Sequence, residues 1–278
     1  MDKENSETES RYRSEALFFD EQALRKQGSV SAIPTVTLER YRDNCRKRFS
    51  KEFRLSLVGD FAGKRILDVG CGEGGNSILL GKLGAEVVGL DVSQKAIELA
   101  NLKAHVNNLD GRVSFLCSPF ENAEFPESYF DIVWCDNVLH HLLPVLGDVV
   151  ARLCHITKEN GQIICSEPIN LNSTLRRIRF LVPVHTEVTP GERPLERDEL
   201  RLIESHFASI HRKYYSLFGR LARFVLSEGN YEKSGISRRL LWNLIAFADR
   251  MLLSVPGLKN LAGALVLWGT PGKEEVTL

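Results

Sequence analysis

The stretch RILDVGCGEGG, residues 65–75, holds the clearest structural signal in the chain. An apolar run typical of a buried strand passes directly into four glycines, and one carboxylate, Asp68, lies within the run. Glycines at such a point let the backbone turn and approach a ligand closely, because no Cβ is in the way. A strand that simply ends in a turn shows the same glycines, so the segments downstream have to distinguish a ligand site from a turn.

Downstream of this stretch, strand-like and helix-like segments alternate. Apolar segments typical of strands occur at residues 64–70, 86–92, 113–118, 130–136 and 161–168, and segments of helical periodicity separate them. Ser93 is the expected N-cap of the helix after the second strand. Alternation of this kind predicts an α/β fold, a Rossmann-like doubly wound sheet that is mostly parallel and seven-stranded, with helical N-terminal and C-terminal additions.

Four segments are expected along the chain. Residues 1–36 form a polar tail and a short helix, and residues 37–216 form the cofactor-binding core, whose first helix is predicted to start with Thr37 as its N-cap. Residues 217–260 form an apolar helical insertion that serves as a lid and substrate pocket. Residues 261–278 form a final edge strand and tail.

Composition narrows the classes of partner and location. The chain has 278 residues, with 36 Lys+Arg and 36 Asp+Glu, so its formal net charge is zero. A main partner of nucleic acid is disfavoured, because such proteins usually carry a basic excess. None of the six cysteines forms a CxxC pair, so we expect no metal site. Reduced cysteines and the lack of a signal-peptide pattern or a spanning apolar run favour a cytoplasmic protein.

The glycine loop is compatible with two classes of cofactor. Residues 70–75 satisfy GxGxxG, which suits a nicotinamide or flavin dinucleotide, but also S-adenosyl-L-methionine. Asp68 separates the two, since an acid before the first glycine suits the ammonium of a methionine tail and opposes a pyrophosphate. Glu73, inside the loop, also opposes phosphate. Asp91 ends the second strand, where an acid accepts hydrogen bonds from the ribose hydroxyls of either cofactor.

Four segments together resemble a known family. ILDVGCGEGG, EVVGLDVS, FPESYFDIVWCDNVLHHL and ENGQIICSEP are similar to class I S-adenosylmethionine-dependent methyltransferases, most closely to the small-molecule branch called methyltransferase type 11. The resemblance covers roughly residues 61–207. It implies S-adenosyl-L-methionine as the cofactor, held by residues of the glycine loop and of the following strand ends: Asp68, Gly70, Cys71, Gly72, Gly74, Asp91, Val92, Ser118, Phe120, Asp136 and Asn137.

The resemblance also implies individual roles and one departure. Asp68 and Gly70 face the amino acid part of the cofactor, Asp91 holds the ribose, and Val92 lies against the adenine, while Asp136 and Asn137 lie near the sulfonium. Relatives usually carry an aspartate for the adenine amino group where this chain has Pro119. Proline has no side-chain acceptor and no N–H, so we expect Ser118 or Phe120 to hold the adenine instead.

Candidate catalytic residues follow the fourth strand. His140 and His141 are adjacent there, and an imidazole titrates in the range needed to take a proton from a phenol or a carboxylic acid. Only one of two adjacent side chains is expected to point into the pocket. Glu167 is expected to form part of the pocket wall. Four arginines after the fifth strand are either a solvated surface or a site for an anionic substrate: Arg176, Arg177, Arg179 and Arg193.

These observations favour a methyltransferase acting on the oxygen of a small organic molecule, such as a phenol, an enol or a carboxylate. N- or C-methylation of a small molecule or a lipid-like quinone, RNA methylation, and cofactor binding without catalysis are the alternatives. The expected partner is a small-molecule methyl acceptor rather than nucleic acid. A homodimer and peripheral contact with a membrane stay open.

Overall fold

A computed structural model describes residues 2–26, 30–42, 49–172, 192–227, 231 and 233–272. Before the sheet, these residues form the helices α1 (Asp2–Lys26), α2 (Thr35–Arg42) and α3 (Ser50–Val58). The expected short helix is wrong in extent, because α1 already begins at Asp2 and is 25 residues long. Its contacts with a later helix, which the local sequence does not encode, stabilise it. The helix predicted from Thr37 is also wrong in its start, since α2 begins at Thr35.

The rest of the chain alternates strands and helices. It comprises β1 (Arg65–Val69), α4 (Gly75–Leu83), β2 (Glu86–Asp91), α5 (Gln94–Val106), β3 (Val113–Cys117), β4 (Phe130–Asp136), α6 (Leu146–Ile156), β5 (Thr157–Pro168), α7 (Arg197–Ser205), β6 (Phe207–Tyr215), α8 (Ala222–Val225), α9 (Ile236–Ser254) and β7 (Ala264–Pro271). Ser93 caps α5 as predicted, because its hydroxyl accepts a hydrogen bond from the Ala96 amide at 3.0 Å.

The seven strands form one sheet in the order β3-β2-β1-β4-β5-β7-β6. Strands β1 to β5 pair in parallel, and β7 runs antiparallel to both of its neighbours. This confirms the predicted fold class. The expectation that the last strand lies at the sheet edge is wrong: Leu267 pairs with Cys165 of β5 on one side and with Arg212 of β6 on the other. An interior position suits the buried residues Leu265, Val266 and Leu267.

The central strands are buried on both faces. Ile66 and Leu67 of β1 and Val133 and Trp134 of β4 are fully buried, and side chains of the flanking helices cover them. Because parallel strands end at the same edge, the residues at the ends of β1, β2, β4 and β5 meet there, at the edge where such sheets bind ligands. No helix of the described residues is long and apolar enough to cross a membrane.

Candidate functional site

A cavity of about 250 Å³ opens at the carboxyl edge of the sheet. Most of the predicted site residues line it: Gly70, Gly72, Asp91, Val92, Ser118, Phe120, Asp136, Asn137 and His141. Asp68, Cys71, Gly74 and His140 do not belong to the lining, although Asp68, Cys71 and His140 are adjacent in sequence to residues that do. The sheet edge therefore brings together residues that are far apart along the chain.

The glycine loop forms one wall of this cavity. Gly70 has a φ of 66°, in the left-handed region, and a Cβ placed there would lie 2.5 Å from Cγ2 of Val138. Gly74 serves packing instead, because a Cβ there would meet Ala100 and Phe115 at 2.9 Å. Glycine is thus required at two positions of the loop for different reasons. At Gly70 the chain turns close to Val138, and at Gly74 it packs closely against α5 and β3.

Asp91 ties the glycine loop to the end of β2. Its two carboxylate oxygens accept hydrogen bonds from the backbone amides of Gly72 and Ser93, at 2.8 and 2.9 Å. Burial raises the pKa of this carboxyl, whereas the amide hydrogen bonds act in the opposite direction. Each oxygen keeps a further lone pair, so Asp91 can hold the loop and still accept hydroxyl donors from a ligand in the cavity.

Asp68 lies one layer below the cavity. Its Oδ2 accepts a hydrogen bond from the Ser77 hydroxyl at 2.6 Å, and its buried Oδ1 has no partner among the described residues. Burial, together with the nearby carboxylate of Asp136, raises the pKa of Asp68 to about 7, although the Ser77 hydrogen bond acts in the opposite direction. In this structure the carboxylate of Asp136, not that of Asp68, lines the cavity beside Gly70.

Two residues that hold Asp136 were missed from sequence. Arg54 of α3 is buried and forms an ion pair with Asp136, with 2.9 Å between Nη1 and Oδ1. The Asn76 side chain donates to Oδ2 of Asp136 at 2.9 Å. A buried arginine at a helical position cannot be told from a surface arginine by local sequence, and only the fold places it under the site.

Helix α1 forms the opposite wall of the cavity. Tyr12, Glu15 and Phe19 line it, and the Tyr12 hydroxyl donates to Glu121 on the far side. Asp20 of the same helix accepts hydrogen bonds from the Ser93 hydroxyl and the Lys95 amide, at 2.6 and 2.9 Å. This anchors α1 to the start of α5. The sequence predicts a tail for the first half of α1 and does not indicate the positions of Tyr12 and Glu15 in this wall.

His140 is held between two carboxylates. Its Nδ1 lies 2.7 Å from Oε2 of Glu167, and its Nε2 lies 3.2 Å from Oε1 of Glu192. Burial lowers the pKa of His140, but the hydrogen bonds to the two glutamates outweigh it and raise the pKa to about 9. Glu167 also accepts from the backbone amides of Val138 and Leu139, at 3.0 and 2.9 Å. The pair therefore fixes the turn after β4.

His141, by contrast, lines the cavity. Burial lowers its pKa, and the positive charge of His140 lowers it further. Its Nδ1 has no hydrogen-bond partner among the described residues and lies 3.8 Å from Oε1 of Glu15. Glu15 is itself buried, and this burial raises its pKa to about 7. A neutral imidazole next to a carboxyl group is an arrangement that can accept a proton.

Other predicted residues contribute less to the cavity. Ligand atoms of His140, His141 and Glu192 lie within 4.8 Å of one another, which is close enough for a shared metal ion. Both ring nitrogens of His140 already face carboxylates, with Nδ1 2.7 Å from Glu167 and Nε2 3.2 Å from Glu192. Arg193 pairs with Glu199. Arg176, Arg177 and Arg179 lie outside the described residues.

The sheet order, the glycine loop and an acid at the end of β2 define a Rossmann-like protein that binds an adenosine-containing cofactor. Comparison with known proteins then narrows the class. Residues 67–165 match the family model described as a methyltransferase domain. Over this segment the chain is similar to class I S-adenosylmethionine-dependent methyltransferases, which confirms the resemblance found in the sequence.

Individual relatives agree with this assignment. The chain is 37% identical to the mitochondrial ubiquinone biosynthesis O-methyltransferase of Schizosaccharomyces pombe, over 38% of each chain. It is 30% identical to the 27-O-demethylrifamycin SV methyltransferase of Amycolatopsis mediterranei, over 42% of this chain and 46% of that one. The chain thus spans less than half the length of these relatives.

Solved structures share the fold more widely. Magnesium protoporphyrin IX methyltransferase from Synechocystis, solved with S-adenosylhomocysteine, superposes with a TM-score of 0.52 at 18% identity. The superposition covers 89% of this chain and 92% of that one. At this identity the likeness supports the fold alone.

Proposed function

We propose that this protein transfers a methyl group from S-adenosyl-L-methionine to an oxygen of a small organic molecule. The observation that carries the proposal is the cavity in which Asp91, the glycine loop and His141 meet. The two relatives described above are both named as methyltransferases, and one is named as an O-methyltransferase of ubiquinone biosynthesis. A phenol, an enol or a carboxylate is the acceptor class that the site supports best.

The charges of the site favour this cofactor over a dinucleotide. Asp91 and Asp136 line the cavity at the ends of β2 and β4, and Asp68 of β1 lies one layer below it. Arg54, which pairs with Asp136, does not belong to the described lining. Among the described residues that line the cavity there is no lysine or arginine to bind a pyrophosphate. A cofactor with a cationic methionine tail therefore suits this end of the sheet, and a diphosphate does not.

The remaining lining residues suit an adenosine. Asp91 is positioned to accept the two ribose hydroxyls while it holds the loop. Val92 and Phe120 supply apolar surface for the purine, and Ser118 adds a hydroxyl beside them. The cradle at Gly70 would be filled by a Cβ, so its shape depends on glycine. Phe120 and Ser118 take the place of the aspartate that relatives carry at Pro119.

When bound, the cofactor supplies an electrophilic methyl group on its sulfonium sulfur. The leaving group is a neutral thioether, so no acid is needed for it to depart. Alignment of the acceptor then provides much of the rate. His141, neutral at pH 7 because its pKa is lowered, takes the proton of the acceptor hydroxyl. Glu15, 3.8 Å from Nδ1 of His141, stabilises the imidazolium that forms. His140 and Glu167 position His141 by fixing the turn that carries it.

The apolar insertion predicted at residues 217–260 supplies the acceptor side of the pocket. A second cavity, of about 190 Å³, lies between the start of α3 and the inner face of α9, and Ser50 and Trp242 line it. The Ser50 hydroxyl lies 3.4 Å from that of Ser166, whose strand position pairs with Asp136 of the first cavity. This juxtaposition supports a path for the acceptor from α9 to the methyl group.

The free cysteines of the described residues support a cytoplasmic location.

The direct test is incubation of the protein with methyl-labelled S-adenosyl-L-methionine and separate panels of phenols, enols, carboxylic acids, amines and RNA. Mass spectrometry then identifies the methylated atom. We expect label on oxygen of a small molecule and none on RNA. Label on nitrogen or carbon would move the reaction to the alternative acceptor classes. Cofactor binding with no labelled product in any panel would support a non-catalytic binding protein.

A further inference from the structure

Helix α9 exposes an apolar stripe on the side that faces away from the sheet. Leu240, Leu244, Phe247 and Met251, here called the α9 apolar face, are between 53% and 67% exposed. They follow one another at helical spacing and therefore share one side of the helix. The opposite side contains the buried residues Asp249 and Leu253. An amphipathic helix with its outer side apolar is the reverse of the usual surface helix.

Neighbouring residues enlarge this surface. Leu241, Leu252 and Val255 extend it along the helix, and Leu221 and Phe224 add exposed apolar side chains before it. Contiguous exposed apolar patches of this kind are rare on soluble monomers and mark interaction sites. The helix is 19 residues long, which corresponds to about 28 Å.

The charges along α9 have a single sign on the exposed side. Arg250 is exposed and lines a groove together with Leu244 and Phe247 on the apolar face. The exposed Arg223 lies beside Phe224, with its guanidinium carbon 4.7 Å from the ring centroid. The acidic residue of the helix, Asp249, points inward, where it accepts from the backbone amides of Ser216 and Phe218 at 3.1 and 2.7 Å. Long arginine side chains beside an apolar stripe can reach phosphate groups while the stripe enters an apolar phase.

We propose that the α9 apolar face docks on an anionic lipid bilayer, with α9 lying in the plane of the interface. Amphipathic helices with apolar and basic sides bind membranes in this way, by apolar burial together with attraction to anionic lipids. Pairing of this face with a second copy would bring flanking arginines of the same sign together, which disfavours self-association. Charge complementarity therefore selects an anionic lipid surface.

Docking of this kind has a consequence for the acceptor, which rests on the proposed function. The inner side of α9 contributes Trp242, Ile245 and Ala246 to the second cavity, so the membrane-facing helix is also a wall of the acceptor path. A bilayer held against α9 would deliver an acceptor dissolved in lipid directly to that cavity. The substrate class is then a lipid-borne hydroxyl compound.

Flotation of the full chain with lipid vesicles tests the docking. We compare vesicles of phosphatidylcholine alone with vesicles that also contain phosphatidylglycerol, and expect flotation mainly with the anionic ones. Leu244→Asp combined with Phe247→Asp should lower partitioning at least about tenfold. Val36→Asp is the matched control, because Val36 is exposed on α2, away from the α9 apolar face, and should leave flotation unchanged. Arg223→Gln with Arg250→Gln should reduce partitioning into anionic vesicles by roughly 10- to 30-fold, with little effect on neutral ones.

The outcomes separate docking from the proposed function. S-adenosylhomocysteine binding and the melting temperature should be the same in all variants, which shows that they are folded. Flotation without cofactor binding would sustain the docking and defeat the proposed function. The docking proposal fails if the wild-type protein floats with neither vesicle, or if the Leu244/Phe247 variant floats like wild type. It fails equally if light scattering shows a dimer that this variant dissociates.

Discussion

Nδ1 of His140 lies 2.7 Å from Oε2 of Glu167, and both side chains are almost completely buried. The same carboxylate accepts from two backbone amides of the turn after β4. The charged His140 thus holds the turn after β4 in place, whereas its neighbour His141 lines the cavity. The two adjacent histidines differ in role because they contact different carboxylates. His140 lies between Glu167 and Glu192, whereas Nδ1 of His141 lies 3.8 Å from Glu15.

The ion pair between His140 and Glu167 predicts a specific pH dependence of the free energy of unfolding. Since the pKa of His140 is raised from 6.5 to about 9 in the folded state, its contribution is fully present below pH 6.5 and is lost as pH rises through 9. Glu167→Gln should lower the free energy of unfolding by on the order of 3 kcal/mol near pH 6.5. The deficit should shrink by pH 9.5. Urea melts across this pH range measure it, with the exposed Glu98→Gln as control; a deficit independent of pH would contradict the role.

His141→Gln should remove the proton acceptor and leave the fold intact. We expect kcat at pH 7.5 to fall about 100-fold or more, while the Kd for S-adenosylhomocysteine changes little. The pKa of His141 is lowered, so wild-type kcat should be flat above pH 6.5 and fall only at more acidic pH. A pH–rate profile with the identified acceptor tests this. The same acidic limb in the variant would show that another group titrates.

Asp91→Ala should weaken cofactor binding in two ways, by removal of the ribose acceptor and by release of the Gly72 amide. Loss of a charged hydrogen bond corresponds to about 1.5–3 kcal/mol, or roughly 10- to 150-fold in Kd. Fluorescence or equilibrium dialysis with labelled cofactor measures the change. Asp110→Ala, on the surface between α5 and β3, is the matched control, and equal Kd values for the two variants would argue against the ribose role.

Gly70→Ala should disturb the cavity more than other glycine substitutions. It combines an unfavourable φ of 66° with a contact of 2.5 Å to Val138, whereas Gly111→Ala, with a φ of 81°, meets nothing within 4 Å. We expect about 1 kcal/mol of destabilisation at Gly111 and about 2–4 kcal/mol at Gly70. The double variant Gly70→Ala/Val138→Ala should recover part of the loss. Thermal melts of the wild type, the two glycine variants, Val138→Ala and the double variant check this, and additive effects of Gly70→Ala and Val138→Ala would show that no clash exists.

Much of the fold was accessible from sequence because local patterns encode it. The strand β1, the glycine loop, the Ser93 cap and the acid at Asp91 are each recognisable within a few residues, and the structure has them together. The interior position of β7 could not be predicted from sequence, since a buried apolar strand has the same residue pattern at the edge and in the middle of a sheet.

The rest of the site depends on contacts between distant segments. The first half of α1 is polar, so its sequence does not predict a packed helix. In the structure, however, the Tyr12 hydroxyl donates a hydrogen bond to Glu121. Nothing local distinguishes His140 from His141; the distinction comes from Glu167 and Glu192, which are 27 and 52 residues further along the chain than His140. The buried Arg54 under Asp136 is recognisable only once α3 is placed against the sheet.

Isothermal titration of the full chain with S-adenosylhomocysteine and, separately, with NADH tests the central claim most directly. The carboxylates of Asp91 and Asp136 and the lack of lysine and arginine among the described lining residues predict one molecule of S-adenosylhomocysteine bound per chain and no heat from NADH. Tight binding of NADH together with no binding of S-adenosylhomocysteine or S-adenosyl-L-methionine would contradict the account.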